Sequence, residues 1–404
     1  MKQIYLDHAS TTPIDKQVLK AMNVCFEKIY GNPGSLHKQG YTAKEVLTNA
    51  RQKVAKVLNC APQEIIFTGS GTESDNLAIL GVARANKQVG SSIICSSIEH
   101  HAVLNSVEHL KETGFETVLV EVDQNGVINL ADLKNKITDQ TVLVSVMYAN
   151  NEIGTIQPVK EISKIIKETR LDRQKRGIKT LIYFHTDACQ AAGYLELDVN
   201  SLGVDLLTLN GSKIYGPKGT GVLYVRTGVN IKPIIFGGGQ EGGKRSGTEN
   251  VPGIVGLAKA LEISDKKRKI ESKRETKLRD YFIKNIIKNI TRVILNGHPE
   301  NRLPNNINIS VLDIEGEAML LWLDKYGIAV STGSACDSKS LEPSHVIMAL
   351  GKSYEFANSN LRFTLGRSTT KKDIDYVLAV LPKIVQDLRK ISPIKTEENA
   401  KYIK

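Results

Sequence analysis

The chain has 404 residues, with 54 Lys plus Arg against 43 Asp plus Glu and a formal net charge of +11. At roughly 150 residues per domain this length implies more than one folding unit and excludes a disulfide-stapled mini-protein. Hydrophobic residues at 41% and charged residues at 24% form an ordinary globular mixture, which excludes wholesale disorder. No apolar run reaches the roughly 18 residues of a membrane helix. The opening Met1-Lys2-Gln3-Ile4-Tyr5-Leu6-Asp7 meets charge too early for the apolar core of a secretion signal. A soluble, cytoplasmic protein is expected. The five cysteines, Cys25, Cys60, Cys95, Cys189 and Cys336, are odd in number and lack a CxxC pair. They argue against a disulfide framework and a Cys-rich zinc site, so no metal is expected.

In chain order, the pattern predicts a helix over 43–58, a strand over 64–67, a helix over 73–85, a strand over 92–95 and a helix over 101–112. Strands follow over 118–122 and 141–147, then a helix over 159–169 and strands over 180–184 and 205–209. The strands are short apolar runs between longer amphipathic stretches, the pattern of a mostly parallel sheet covered by helices on both faces. From about residue 254 the pattern changes to a long charged helix over 254–290, strands over 293–295 and 307–311, and helices over 317–326 and 372–388. This reads as a smaller α+β domain. The expected organisation is an N-terminal segment, 1–14, packing with the small domain, a large domain, 15–258, and a small C-terminal domain, 259–404, frayed over its last dozen residues. Much of the positive excess lies in Lys266-Lys267-Arg268-Lys269, Lys273, Arg274 and Lys277, and in the stretch from Lys371. Glu271, Glu275 and Asp280 interleave the first group, which reads as a solvated helix face and not as a nucleic-acid surface.

Three strand-end motifs carry chemistry. Thr68-Gly69-Ser70-Gly71-Thr72-Glu73 lies between a strand and a helix, where small residues and free N–H groups can cradle a phosphate; an ordinary Gly-rich turn fits the same residues. It lacks the Gly-Lys-Ser/Thr of a P-loop and the GxGxxG of a dinucleotide fold. Asp187-Ala188-Cys189-Gln190 follows a strand, so Asp187 is placed either to meet a protonated ring nitrogen or simply to cap a helix. Asn210-Gly211-Ser212-Lys213 follows another strand; a lysine losing solvation there becomes a carbonyl nucleophile able to form a Schiff base, while an exposed turn lysine is the plainer alternative. Together, a phosphate cradle, a strand-end acid and a desolvated lysine describe a pyridoxal phosphate site.

The ordered set Tyr5-Leu6-Asp7-His8-Ala9, Gly31-Asn32-Pro33-Gly34-Ser35-Leu36-His37, Gly71-Thr72-Glu73-Ser74-Asp75-Asn76, Glu99-His100 and Asn150-Asn151-Glu152-Ile153-Gly154 continues through the Asp187 and Lys213 motifs. It ends with Gly237-Gly238-Gly239-Gln240-Glu241, Arg245-Ser246-Gly247-Thr248 and Ser334-Ala335-Cys336. It resembles the cysteine desulfurases of the IscS/NifS type, class V enzymes of the fold-type I pyridoxal phosphate architecture, over nearly the whole chain. The resemblance implies an α/β fold with a mostly parallel sheet flanked by helices. It also implies conversion of L-cysteine to L-alanine with the sulfur left as a persulfide on Cys336.

By the same resemblance Lys213 binds the cofactor covalently, His100 stacks on its ring, Asp187 pairs with the ring nitrogen, and Gln190 and Asn150 meet the ring hydroxyl. Gly71, Thr72, Asn210 and Ser212 hold the phosphate, joined by Thr248 from the second subunit of a homodimer. Arg362, in Arg362-Phe363-Thr364-Leu365-Gly366, takes the substrate carboxylate, with Asn32 as a second candidate. The implied partner is a persulfide-accepting protein, a scaffold for iron–sulfur clusters or an enzyme of nucleic-acid thiolation, with no membrane and no direct nucleic-acid contact. Two features depart from the family. The family's Ser-x-His-Lys is here Asn210-Gly211-Ser212-Lys213, and residues 391–404 do not resemble the tail by which relatives dock a scaffold.

Two other readings compete: a class V aminotransferase or selenocysteine lyase on the same fold, and a catalytically silent assembly platform. A transaminase has no use for Cys336, and the presence of both Lys213 and Cys336 opposes a silent platform. The segment 331–340 is small and polar, with little to bury, and is expected to move so that Cys336 reaches both cofactor and acceptor.

Overall fold

The computed structural model describes residues 3–333 and 343–393. Its strands are β1 Ile4–Tyr5, β2 Ile65–Thr68, β3 Ser92–Ser96, β4 Glu116–Val120, β5 Thr141–Ser145, β6 Tyr183–Asp187, β7 Leu206–Asn210 and β8 Gly221–Val225. The later ones are β9 Val293–Leu295, β10 Asn306–Val311, β11 Ile328–Ala329 and β12 Asn360–Thr364. Seven of them make the main sheet, in the order β2-β8-β7-β6-β5-β3-β4. It is parallel except for β8, which runs antiparallel to both β2 and β7. The sequence pattern did not separate β8 from the Gly/Pro turn before it; pairing with β7 turns that stretch into a return strand with every residue buried.

Alternation along the strands fills two cores. Ile65, Phe67, Ile94, Val144, Phe184, Leu207 and Tyr224 face one, with residues of the helices Lys16–Glu27, Lys38–Leu58 and Val159–Lys175 and the first part of Val251–Asn289. Ile66, Ile93, Leu143, Tyr183, Leu206 and Leu223 face the other, with the helices Gly71–Asn86 and His101–Glu112. A strand covered on both faces must be apolar at every position, which is why these runs lacked a period of two.

The second sheet, β12-β10-β9, is antiparallel. It packs with the far end of helix Val251–Asn289, through Phe282 and Ile286, and with the helices Gly316–Lys325 and Lys371–Ile391. Ile4 and Leu6 join this core, and β1 pairs in parallel with β11. The next residues dock elsewhere: Thr12 N and Oγ1 both donate to Ser212 O, at 2.8 Å each. One short segment therefore ties the second core to the turn carrying Lys213. Part of the basic run on the long helix pairs locally, with Lys266 on Glu262 at 2.7 Å and Arg274 on Glu271 at 2.8 Å. Residues 394–404, read from the sequence as a frayed end, lie outside the described residues.

Candidate active site

The motifs meet because β2, β3, β5, β6 and β7 run in one direction and end along one edge of the sheet, where α/β proteins bind ligands. A cavity of about 260 Å³ opens there, lined by Gly71 and Thr72 after β2, His100 after β3, Asn151 after β5, Asp187 and Gln190 from β6, and Asn210 and Lys213 from β7. Arg362 of β12 and Ser10 of the N-terminal segment close it from the second core.

Each side chain is held by local chemistry. Lys213 Nζ donates to Ser10 O at 2.5 Å. Asp187 accepts the Cys189 N–H at 2.8 Å, so its carboxylate is oriented by its own strand end. His100 caps the helix His101–Glu112, its Nδ1 accepting the Ala102 N–H at 3.1 Å, which places the ring proton on Nε2. Burial lowers the His100 pKa, with Asp187 opposing and Lys213 and His101 adding to the fall, so the imidazole is neutral. Gln190 Nε2 donates to Ala9 O at 3.0 Å. Arg362 is buried; its Nη2 reaches Asp7 Oδ1 at 3.0 Å and Ser10 Oγ at 2.8 Å, its Nη1 reaches Asn151 O at 3.0 Å, and its Nε has no partner.

Four expected residues lie apart from this cavity. Asn150 is fully buried: its Nδ2 donates to Ile98 O at 2.9 Å and its Oδ1 accepts the N–H groups of Glu152 and Ile153. Its amide organises the loop, and its neighbour Asn151 lines the cavity. Ser212 spends both its N–H and its hydroxyl on Asn210 Oδ1, at 2.9 Å each. That bond orients the Asn210 amide, whose Nδ2 then faces Gly71. Asn32 is exposed, and its side-chain Oδ1 accepts the Gly34 N–H at 2.9 Å. Thr248 is exposed on the 237–250 segment, beside a separate cavity of about 190 Å³.

Cys336, and with it the expectation of a moving segment, lies outside the described residues. The flanks on either side are firmly placed: Ser331 and Arg362 exchange backbone hydrogen bonds of 3.1 and 2.7 Å, and His345 Nε2 donates to Glu99 O at 3.0 Å. The four described cysteines are free thiols. Burial pushes Cys60 up to about 12 and raises Cys25, Cys95 and Cys189, leaving each a poor thiolate.

Residues 4–377 match the family Aminotransferase class-V. The chain is 49% identical over 396 residues to cysteine desulfurase IscS of Dictyoglomus turgidum, covering 98% of both chains. It is 49% identical over 397 residues to cysteine desulfurase IscS of Methanosarcina thermophila, covering 98% of this chain and 95% of that one. A solved NifS-like protein superposes with a TM-score of 0.88 at 37% identity, covering 96% of this chain and all of the other. The chain belongs to the class V aminotransferase family, among the cysteine desulfurases of the IscS/NifS type.

Enzymes of this family use pyridoxal phosphate, and the residues in the cavity fit it. The helix Gly71–Asn86 starts at the cavity wall, and the hydroxyl of its cap, Ser70, takes the Glu73 N–H, leaving the Gly71 and Thr72 N–H groups for an anion. Glycine is required there, because a Cβ on residue 71 would stand 2.9 Å from Cys189 Sγ. An acid and a primary amine, Asp187 and Lys213, line the same space.

Three buried residues that motif reading gave no role lie at this edge. Asp75 lines the cavity, fully buried, with Oδ1 unpartnered and 3.6 Å from His185 Nε2. Burial first and then Asp187 raise its pKa well above the carboxylate range. Burial pushes Glu99 up to about 8 against hydrogen bonds from Ser96 and Met147 N. His185, lowered to about 4 by burial, is neutral between Ser145 Oγ at 2.8 Å and Thr208 Oγ1 at 3.0 Å. Spacing held the signal: Asp75 is one helical turn after Gly71, and His185 is two residues before Asp187 on the same strand face. The raised proton affinities of Asp75 and Glu99 oppose further negative charge at this buried edge.

Proposed function

We propose that the enzyme removes sulfur from L-cysteine, leaving L-alanine, and holds the sulfur as a persulfide on Cys336 for a persulfide-accepting protein of iron–sulfur cluster assembly or nucleic-acid thiolation. The observation that carries this reading is the single cavity that gathers Gly71, Thr72, His100, Asp187, Gln190, Lys213 and Arg362 from five separate stretches of chain.

The Gly71 and Thr72 N–H groups and Asn210 Nδ2 would hold the cofactor phosphate, Asp187 would pair with its ring nitrogen, His100 would pack against the ring and Lys213 would supply the covalent attachment. Gln190 meets the ring hydroxyl. Bound there, pyridoxal phosphate supplies an electron sink for charge left on the α-carbon of the substrate. Arg362, with Nε unpartnered, offers its guanidinium to the substrate carboxylate. Lys213 Nζ, anchored to Ser10 O, is the amine placed to move a proton on the substrate.

Cys336 attacks the substrate sulfur as its thiolate: an S–S bond forms, the Cβ–S bond breaks, and the former Cβ takes a proton to become the methyl group of alanine. An ordinary thiol, with a pKa of roughly 8.5, is only a few per cent ionised at neutral pH, so its proton needs an acceptor. His100 takes it only by giving up the Ala102 hydrogen bond at Nδ1, which favours the substrate amine. The raised pKa values of the four described thiols make each a poor thiolate, which supports Cys336 in this role.

The working unit in this reading is a cytoplasmic homodimer in which Thr248 completes the phosphate site of the partner. Thr248 is exposed and apart from its own chain's cavity, and Leu36 and Phe236 leave 84% and 77% of their surface to solvent. The test is direct: purified enzyme with pyridoxal phosphate should release alanine from L-cysteine and carry one reducible sulfur per chain on Cys336. Absence of alanine, or sulfur found on another cysteine, would refute the reading.

A further inference from the structure

Glu152 belongs to the Asn150-Asn151-Glu152 loop, yet none of the roles above uses it. Its side chain is buried, 5% exposed, and its backbone is fixed on both sides: its N–H donates to Asn150 Oδ1 at 2.8 Å and its carbonyl accepts from Asn306 Nδ2 at 3.1 Å. The carboxyl meets two points of the chain that are distant from it in sequence. Ser344 Oγ donates to Glu152 Oε2 at 2.5 Å. Gly333 lies so close that a Cβ there would stand 2.2 Å from the same oxygen, while the Gly333 N–H is taken by Asn360 Oδ1 at 2.8 Å. Residues 333 and 344 bracket the stretch that holds Cys336.

We propose that Glu152 is a positioning residue for Cys336: its carboxyl is a clasp between the two described residues that flank that cysteine in sequence, holding Ser344 by a hydrogen bond and Gly333 by close packing. The inference rests on the reading of Cys336 as the sulfur carrier. Holding residues 333 and 344 at a fixed separation limits how far the chain joining them can reach, which would raise the effective concentration of the thiol at the substrate sulfur. The anchor lies next to that chemistry, since Asn151 lines the cavity and its carbonyl accepts from Arg362. Burial pushes the Glu152 carboxyl up to about 7, against the Ser344 hydrogen bond and the positive charge of Arg362. In its ionised form the Ser344 bond is charge-assisted and the clasp is tighter.

The test uses the holoenzyme and the variants Glu152→Ala, Glu152→Gln, Ser344→Ala and Cys336→Ser. Glu152→Ala and Ser344→Ala should lower kcat for alanine formation about tenfold or more, the scale expected when a reacting group is misplaced by about 1 Å. KM for cysteine and the dissociation constant of pyridoxal phosphate should stay within about twofold, because the clasp touches neither site. Glu152→Gln keeps an acceptor for Ser344 and should recover most of the rate. A Ser344→Ala enzyme with wild-type kcat overturns the inference, even should Glu152→Ala fail to fold. A Gln variant as damaged as the Ala variant, or KM and cofactor affinity falling together with kcat, overturns it as well. Wild-type alanine formation by Cys336→Ser would instead sink the underlying reading, so the two failures are distinguishable.

Discussion

Gly71→Ala tests the phosphate cradle with a single methyl group. The added Cβ would stand 2.9 Å from Cys189 Sγ and 3.4 Å from both Cβ and Nδ2 of Asn210. A comfortable carbon–sulfur contact is several tenths of an ångström longer, so either Cys189 or the first turn of the helix must move. Cys189 is buried and its N–H is bound by Asp187, which shifts much of the burden to the helix start. Overpacking of this kind costs about 1–3 kcal/mol, and the smaller chain entropy of Ala returns about 0.4–1 kcal/mol. The apoprotein should therefore lose about 0.5–2 kcal/mol, a fall in Tm of about 1–3 °C for a chain of this size. The larger effect is on the ligand. Hydrogen bonds to a charged group contribute about 1.5–3 kcal/mol each, so losing one Gly71 or Thr72 contact should weaken pyridoxal phosphate binding roughly tenfold to a hundredfold. The assay is a fluorescence titration of apoprotein with pyridoxal phosphate, paired with a thermal melt. Cys189→Ala removes the obstructing sulfur, and in the double variant about 1 kcal/mol or more of the loss should return as a coupling energy. Wild-type affinity in Gly71→Ala, or no recovery in the double variant, would refute the close approach at residue 71 and the cradle built on it.

Lys213→Ala should fold yet form alanine roughly 10²–10⁴-fold more slowly, as judged by amino-acid analysis; normal turnover would remove Lys213 from the reaction. Cys336→Ser should still bind pyridoxal phosphate and cysteine, seen as a change in the visible absorption band, while no persulfide forms; persulfide detected on that variant would contradict the assignment. Glu99 is raised from the ordinary glutamate range to about 8, so the folded protein holds a proton that the unfolded chain releases. Its contribution is full below the unfolded pKa of roughly 4.3 and is lost as pH rises toward 8, so Glu99→Gln should flatten the decline of apoprotein stability across that window. An unchanged slope in urea melts would place the proton elsewhere. Co-expressed Lys213→Ala and Thr248→Ala chains should regain activity that neither has alone, each mixed dimer having one site with both residues intact; mixtures as inactive as their parents would refute a Thr248 that serves the partner.

Much of the fold was legible because local rules and tertiary burial agree. The helix His101–Glu112 and the strand β9 fall where periodicity put them, and the main-sheet strands other than β8 fall within about two or three residues. The chemistry was legible for a related reason: a phosphate cradle, a strand-end acid and a strand-end lysine each need a particular residue type at a particular turn. The pattern could not supply the pairings made across long stretches of chain. β8 became a strand only by pairing with β7 and β2, and β1 only by meeting β11, because isolated two- to five-residue runs have no stability of their own.

The same division runs through the site. The sequence alone determined that Gly71, Thr72, Asp187 and Lys213 would share one edge, since each follows a strand of one parallel sheet. It could not say that Asn150 would spend its amide on Ile98 O and on its own loop, or that Ser212 would hand its hydroxyl to Asn210. Hydrogen-bonding capacity is finite, and only the folded neighbourhood decides which of several eligible partners takes it. Charge was the least legible property of all. Asp75, Glu99 and Glu152 look like ordinary acids in one dimension, and only their loss of water in the tertiary structure raises their proton affinities, because a carboxylate without solvent or a cation is costly to keep.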